Sequence, residues 1–112
     1  MKTLRNSVQL IGNLGKDVEI KTFDNGNAVV NFPLATSEYF INSEGEKVQT
    51  TQWHKVVAWG KRGEAMHTNL SKGNQVLVQG KLTYKSYEDK DGVKRYVTEV
   101  VADGFVKMTK EA

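Results

Sequence analysis

The sequence has 112 residues, with 16 Lys and Arg against 13 Asp and Glu, a net charge of +3, and no cysteine. This length supports one modest hydrophobic core, so we expect a single domain over residues 1–112. The absence of cysteine excludes disulfides and thiolate zinc sites, and fits a reducing compartment. The first residues become polar too early for a signal peptide, and no apolar run reaches membrane-spanning length. We therefore expect a cytoplasmic protein.

Turn-forming residues divide the chain at regular intervals, at residues 24–27, 42–46, 72–74 and 88–92. The β-rich segments between them are residues 7–22 (with a break at 12–16), 28–40, 48–59, 75–87 and 94–107. Residues 62–71 instead place Ala65, Met66 and Leu70 at helical spacing, with Gly73 as the expected carboxy-terminal cap. Five strands with one helix between the third and fourth predict an all-β protein, a five-stranded OB-fold barrel.

The third predicted strand carries the most informative pattern. Its alternation places Trp53, Lys55 and Trp59 on one face, whereas Val56 and Ala58 lie on the other. The two indoles should be about 20 Å apart along the strand. Aromatic planes interleaved with positive charge are typical of a surface for single-stranded nucleic acid, whose bases stack and whose phosphates attract lysine.

The charge is concentrated around this strand. Residues 49–87 contain six basic residues and a single acid, Glu64. The fourth strand repeats the pattern of the third with Lys85 and Tyr87, and the second strand ends at Phe40. The expected stacking residues are Phe40, Trp53, Trp59 and Tyr87. The expected phosphate contacts are Lys55, Lys61, Lys72 and Lys85.

Enzymatic interpretations fare poorly. His54 and His67 lie on different elements without carboxylates at metal-ligand spacing, and no local signature arranges a nucleophile. We therefore predict no catalytic residue, metal or cofactor. The sequence of residues 60–63 matches the GXXG loop of KH domains, but a strand precedes it where KH domains have a helix. Four functions are alternatives to sequence-independent binding of single-stranded nucleic acid. They are those of an OB-fold partner in replication restart, an RNA chaperone of cold-shock type, an OB-fold nuclease and a structural oligomerisation module.

Several segments together resemble the bacterial single-stranded DNA-binding proteins. They are VQLIGNLGKD (8–17), NGNAV (25–29), LATSE (34–38), TQWHKVV (51–57), GK (60–61), KGNQV (72–76), GKL (80–82) and RYVTEVV (95–101). The likeness spans nearly the whole chain with the family's spacing. It implies sequence-independent binding of single-stranded DNA in replication, recombination and repair, by a homotetramer in the bacterial cytoplasm.

The resemblance also assigns individual positions. Trp53 coincides with a stacking tryptophan of the family, and Trp59 stands where an aromatic is usual. Phe40 and Tyr87 stand where tryptophan is frequent. The resemblance places His54 near a contact between subunits. Family members usually continue into a flexible tail with an acidic tip that recruits other enzymes, whereas this sequence stops at Ala112. It is therefore either a naturally short form, for which tail-dependent recruitment is in doubt, or a chain from which the tail was cut.

Overall fold

The computed structural model describes residues 4–108, which form six strands and one helix. The strands are β1 (Val8–Leu14), β2 (Glu19–Thr22), β3 (Ala28–Ile41), β4 (Lys47–Trp59), β5 (Gln75–Glu88) and β6 (Lys94–Met108), and the helix is α1 (Gly60–Asn69). The first predicted β-rich segment is divided into β1 and β2, but the gap lies at residues 15–18 and not at the predicted 12–16. The residues bearing on a carboxy-terminal tail, 109–112, lie outside the described part of the chain.

Five of these strands close into a barrel in the order β1, β5, β6, β4 and β3, because β1 pairs with β5 on one side and with β3 on the other. β2 pairs with β3 as a short antiparallel extension. The ring is completed where residues 55–57 of β4 pair in parallel with residues 99–101 of β6. The predicted OB-fold barrel, with its helix between the third and fourth of the five strands, is confirmed.

Strand alternation produces the core. Ala28, Val30, Phe32 and Leu34 alternate along the first half of β3 and point into the barrel with several residues of the neighbouring strands, where all are almost completely inaccessible. The largest fully buried side chains are Phe32, Leu34, Met66, Val30, Val56, Val76 and Val78. Apolar burial of this kind supplies the main driving force for folding.

The helix closes one end of the barrel through Met66 and Leu70, which are both part of the core. It begins at Gly60, two residues earlier than predicted, and ends with Leu70 in an extended conformation. The expected cap at Gly73 is wrong. Leu70 is anchored in the core and leaves the helix there, whereas Gly73 (φ +88°) belongs to the following turn and donates its N–H to the Leu14 carbonyl at 2.9 Å.

Two hairpins extend beyond the barrel as two-stranded ribbons. The β3–β4 arm comprises residues 37–51 and the β5–β6 arm comprises residues 84–98, and almost all of their side chains are exposed on both faces. The radius of gyration is accordingly 16.3 Å, compared with about 13 Å for a compact domain of this length.

The tips of the two arms use the same device. In the β3–β4 arm, Asn42 Oδ1 accepts hydrogen bonds from the N–H groups of Glu44 and Glu46, both at 2.9 Å. In the β5–β6 arm, Asp89 Oδ1 accepts from the N–H groups of Asp91 and Val93, both at 3.0 Å. Such short side chains satisfy the backbone donors of a tight turn and so fix how each arm reverses.

Candidate nucleic-acid interface

The outer face of the barrel is assembled across strands. Trp53, Lys55, Val57 and Trp59 of β4 stand opposite Ala35, Pro33, Asn31 and Val29 of β3. On the other side of β4, Lys55 stands opposite Glu99 of β6, and Glu99 in turn stands opposite Thr83 of β5. Because residues opposite one another point to the same face, the side chains of four strands meet on this surface. We call it the wall.

Trp53 lies at one end of the wall and is 63% exposed. A Cβ atom on Gly15 would be only 2.5 Å from Cζ3 of the indole. The indole therefore lies directly against the connection between β1 and β2, at a point where only a glycine leaves room. Beside it lies a cavity of about 360 Å³, bordered by Lys16, Glu19, Asn31, Phe32, Pro33, Trp53, His54 and Lys55.

Trp59 lies at the other end of the wall and is 49% exposed. Its ring stacks with that of Phe23, at a centroid distance of 6.2 Å and an interplanar angle of 11°. The Lys21 ammonium lies 5.3 Å from the centroid of the Phe23 ring, within the range of a cation–π contact. Phe23 follows β2, so the strand extension of the barrel adds an aromatic and a cation to the tryptophan.

The space beside Trp59 is a second cavity, of about 230 Å³, bordered by Lys21, Phe23, Val29, Asn31, Lys55, Val57, Trp59, Lys85 and Glu99. It shares Asn31 and Lys55 with the cavity beside Trp53. The two spaces are thus neighbours on one surface. An extended ligand could contact both indoles and pass Lys55 between them.

Lys55 and Lys85, from different strands, converge on one carboxylate. Glu99 Oε2 lies 3.2 Å from Lys55 Nζ, and Oε1 lies 3.3 Å from Lys85 Nζ. The Oε1 contact lacks hydrogen-bond alignment and is an ion pair by distance. The sequence of residues 49–87 indicated a basic surface. The wall also contains an acid, because β6 contributes Glu99 from outside that segment.

The other two predicted stacking residues lie on the arms. Tyr87 follows Lys85 by two positions on β5 and so shares the wall's face. Phe40 is opposite Val48 and, by alternation, lies on the face that continues the barrel interior. Both are at least half exposed. Tyr39, not predicted, lies on the same face as Trp53, and Lys47 Nζ lies 4.5 Å from its ring centroid.

The remaining predicted positions are more dispersed. Lys61 is in the first turn of α1, and Lys72 is in the turn before β5, where its N–H donates to Asp17 Oδ1 at 2.7 Å. Neither borders the two cavities described above. His54 is half-buried opposite Leu34, and its Nε2 lies 2.9 Å from Thr36 Oγ1. Its role at a subunit contact stays a prediction, as do the individual DNA contacts.

At the tip of the β5–β6 arm, Arg95 Nε donates to Asp89 Oδ2 at 2.9 Å. The Arg95 guanidinium, followed by the Val93 N–H, holds the pKa of Asp89 below its usual value. Both interactions favour the ionised carboxylate. The negative charge of Asp89 therefore stabilises the turn that follows β5, the strand that carries Tyr87.

Within residues 4–108, no three histidine or carboxylate side chains come together in a group that could hold a metal ion. No helix in that part of the chain is long and apolar enough to cross a membrane.

The wall lies on the outer face of a closed five-stranded barrel, which defines the chain as an OB-fold protein, and comparison with known proteins gives the family. The chain matches the single-strand binding protein family over residues 5–109. It belongs to that family, whose members bind DNA and are not enzymes. The resemblance seen in the sequence is confirmed.

Particular relatives support the assignment. The chain is 47% identical over 97 residues to single-stranded DNA-binding protein 1 of Chlorobaculum tepidum, covering 86% of this chain and 60% of the relative. The chain thus spans about three-fifths of that protein's length.

Solved structures show the same fold. The Plasmodium falciparum SSB in complex with ssDNA superposes with a TM-score of 0.87 at 25% identity, covering 97% of this chain and 99% of that one. A deletion mutant of the single-stranded DNA-binding protein from Thermus aquaticus gives a TM-score of 0.80 at 28% identity, covering 93% of this chain and 50% of that one.

Proposed function

We propose that this chain binds single-stranded DNA, largely independently of sequence and without catalysis, with residues 1–112 acting as one binding domain. The observation that carries the proposal is the wall, where two exposed indoles flank Lys55 on a strand whose other face is buried. A strand anchored in this way presents its aromatic rings without needing them for the core. Family membership and the neighbouring structure solved with ssDNA support the same ligand.

Stacking would supply much of the affinity. Each base stacked on an aromatic ring contributes about 1–3 kcal/mol, and every base has a π-face, so the interaction tolerates any sequence. Trp53 and Trp59 are the principal platforms, with Phe23 beside Trp59. Tyr87 extends the wall's face along the β5–β6 arm, and Phe40 offers a further ring on the other face of the β3–β4 arm.

Phosphate contacts would supply the remaining affinity for single-stranded DNA. Lys55 and Lys85 lie at the centre of the wall, while Lys61 and Lys72 would meet the backbone of a longer strand. Lysine–phosphate contacts release counterions, so affinity should fall with salt by a slope of about −0.7 per neutralised phosphate on single strands.

Such binding would serve DNA replication, recombination and repair in the bacterial cytoplasm. Because the surface fits unpaired bases, binding would draw local hairpins open by mass action, with no nucleotide hydrolysis. Coating of the exposed strand would also protect it.

We further propose that the protein is a homotetramer. Residues 8–12 of β1 pair with β5 on one side, while the pairing of β1 with β3 covers only Asn13 and Leu14. Among residues 4–108, no strand pairs with the other edge of residues 8–12, and beside this edge lies an apolar patch on the outer face, formed by Ile11, Leu77, Val106 and Met108. Ile11 and Val106 are 49% and 60% exposed. An open strand edge next to exposed apolar side chains favours association with another copy, and light scattering measures the resulting mass.

The experiment that tests the DNA-binding proposal is a titration with oligo-dT, followed by tryptophan fluorescence at two salt concentrations. Stacking should quench the emission, and the affinity should be lower at the higher salt. A duplex of the same length and a matched RNA serve as competitors. Absence of quenching, or equal affinity for duplex, would contradict the proposal, and stronger competition by RNA would favour the RNA-chaperone alternative.

A further inference from the structure

Glu99 is a buried acidic residue that has no role in the proposed binding mechanism. The residue is only 5% exposed, whereas the side chains of Lys55 and Lys85 are 49% and 56% exposed. A carboxylate removed from water needs compensating charge. The two ammonium groups, at 3.2 and 3.3 Å from its oxygens, provide that compensation.

The same two ammonium groups are the central phosphate contacts of the wall. A lysine ammonium has three N–H donors and no acceptor, and it interacts with a carboxylate oxygen and a phosphate oxygen in the same manner. In the free protein both cations already have an anionic partner. An arriving phosphate would therefore share or replace that partner instead of meeting two uncompensated charges.

We propose that Glu99 is an intramolecular counter-ion that competes with DNA phosphate for Lys55 and Lys85, and so limits both the affinity for DNA and its salt dependence. This inference depends on the proposed binding of single-stranded DNA. Two ammonium groups and one carboxylate leave a net charge of +1 at this point of the wall. The cluster therefore neutralises about one phosphate, where two independent lysines would neutralise two.

A positioning role for Glu99 predicts the opposite sign. If the carboxylate mainly held the lysines in the orientation that DNA needs, its removal would release them and weaken binding. If it competes with phosphate, its removal strengthens binding. The sign of the change therefore separates the two roles.

The decisive variant is Glu99→Gln, which keeps the shape of the side chain and removes its charge. The matched control is Glu64→Gln, which changes the net charge by the same amount at an exposed position on α1 that borders neither of the two cavities beside the indoles. The affinity of each protein for oligo-dT is measured by tryptophan fluorescence over a range of salt concentrations, after thermal unfolding has shown that the variant is folded.

For E99Q we expect a slope of log affinity against log salt that is steeper by about 0.7, since one more phosphate is neutralised. This corresponds to binding about fivefold tighter near 0.1 M salt. E64Q should show a smaller change in both quantities. Weaker binding by E99Q, or a change no larger than that of E64Q, would overturn the inference while leaving DNA binding by the wild-type protein intact.

A measurement on the unaltered protein keeps the inference testable if E99Q does not fold. The side-chain carboxyl carbon resonance of Glu99 reports its ionic partners. It should shift when the wild-type protein is saturated with oligo-dT, and by more than that of Glu64. An unchanged Glu99 resonance in the complex would refute competition, whereas failure of the wild-type protein to bind oligo-dT would refute the proposed function itself.

Discussion

The aromatic rings of the wall and those of the two arms differ in what lies behind them. Behind Trp53 and Trp59, the opposite face of β4 is packed into the core through Val56 and Ala58. Phe40 and Tyr87 belong to ribbons with exposed side chains on both faces, and two-stranded ribbons alone are only marginally stable in water. A ring on the wall is already held in place, whereas a ring on an arm must be ordered when the ligand binds. The same residue type should therefore contribute more on the wall.

The largest expected effect is that of removing a wall indole. Trp53→Ala or Trp59→Ala should weaken binding to oligo-dT about 5- to 150-fold, from the loss of about 1–3 kcal/mol per stacked base. The thermal unfolding midpoint should change little, since Trp53 and Trp59 are 63% and 49% exposed. Fluorescence of the remaining tryptophan, or anisotropy of labelled DNA, measures the affinity.

Phe32→Ala provides the contrasting control. Phe32 is 1% exposed, and truncation of a buried phenylalanine costs about 3–5 kcal/mol of stability. If Trp53→Ala or Trp59→Ala destabilised the protein to the same extent, the indoles would be structural and the distinction between wall and core would fail.

Removing an arm ring should have a smaller effect. Phe40→Ala and Tyr87→Ala should each weaken binding about fivefold or less, the lower end of the range for stacked bases. Because the residues are on separate arms, the effects of the two substitutions should add in the double variant. A loss as large as that of Trp59→Ala would show that the arms are as well supported as the wall.

Gly15 allows the wall to be perturbed without touching an aromatic residue. In Gly15→Ala the new Cβ would collide with the Trp53 indole, so the ring must move. We expect binding about two- to fivefold weaker, a part of the stacking energy of one base. In a protein that already carries Trp53→Ala, Gly15→Ala should cause no further loss of affinity. A further loss would show that Gly15 affects binding independently of the Trp53 ring.

The smallest expected effect concerns the tip of the β5–β6 arm. The pKa of Asp89 is lowered from the ordinary value of 3.8, so its ionised form stabilises the folded turn above that value. This stabilisation is lost as the pH falls through the still lower folded pKa. Exchange of the Asp91 and Val93 amide protons should therefore be protected above about pH 4, relative to the intrinsic rate, and lose that protection in more acidic solution.

Asp89→Asn should remove this pH dependence while changing the affinity for oligo-dT less than about twofold, because the turn only supports the end of the strand that carries Tyr87. Unaltered amide protection in this variant would show that the turn does not need the carboxylate. A large loss of affinity would instead give the tip a direct part in binding.

Local patterns predicted most of the fold. Turn residues placed the ends of β3, β4, β5 and β6 within one position of those observed, whereas β1 continues three residues beyond its predicted end. The alternation of β4 correctly separated Trp53, Lys55 and Trp59 from Val56 and Ala58, because period-two geometry follows from the backbone alone. The start of the helix was missed since Gly60 and Lys61 carry no helix-start signal, and burial of Leu70 overrode the glycine signal for its end.

The residues that escaped prediction depend on strand register. Glu99 meets Lys55 only because β4 and β6 pair in parallel, and Phe23 meets Trp59 only because the β2–β3 turn folds beside β4. Neither contact can be predicted from the residues that are neighbours in sequence. The signal that could have drawn attention to Glu99 is its place as a lone acid between Val97 and Val101 on one strand face, where a charge needs a partner.

The parallel pairing of three residues of β4 with three of β6 also has a kinetic consequence. This seam joins segments that are far apart in sequence, and contacts of that kind form late because chain entropy opposes them. Lys55 and Glu99 are themselves register partners in the seam. A partly folded chain with only the β3–β4 hairpin formed would display both indoles without Lys85 or its acidic partner. The indoles and both central lysines are therefore brought together only when the ring is complete, and a bound strand lying across the seam should slow its opening.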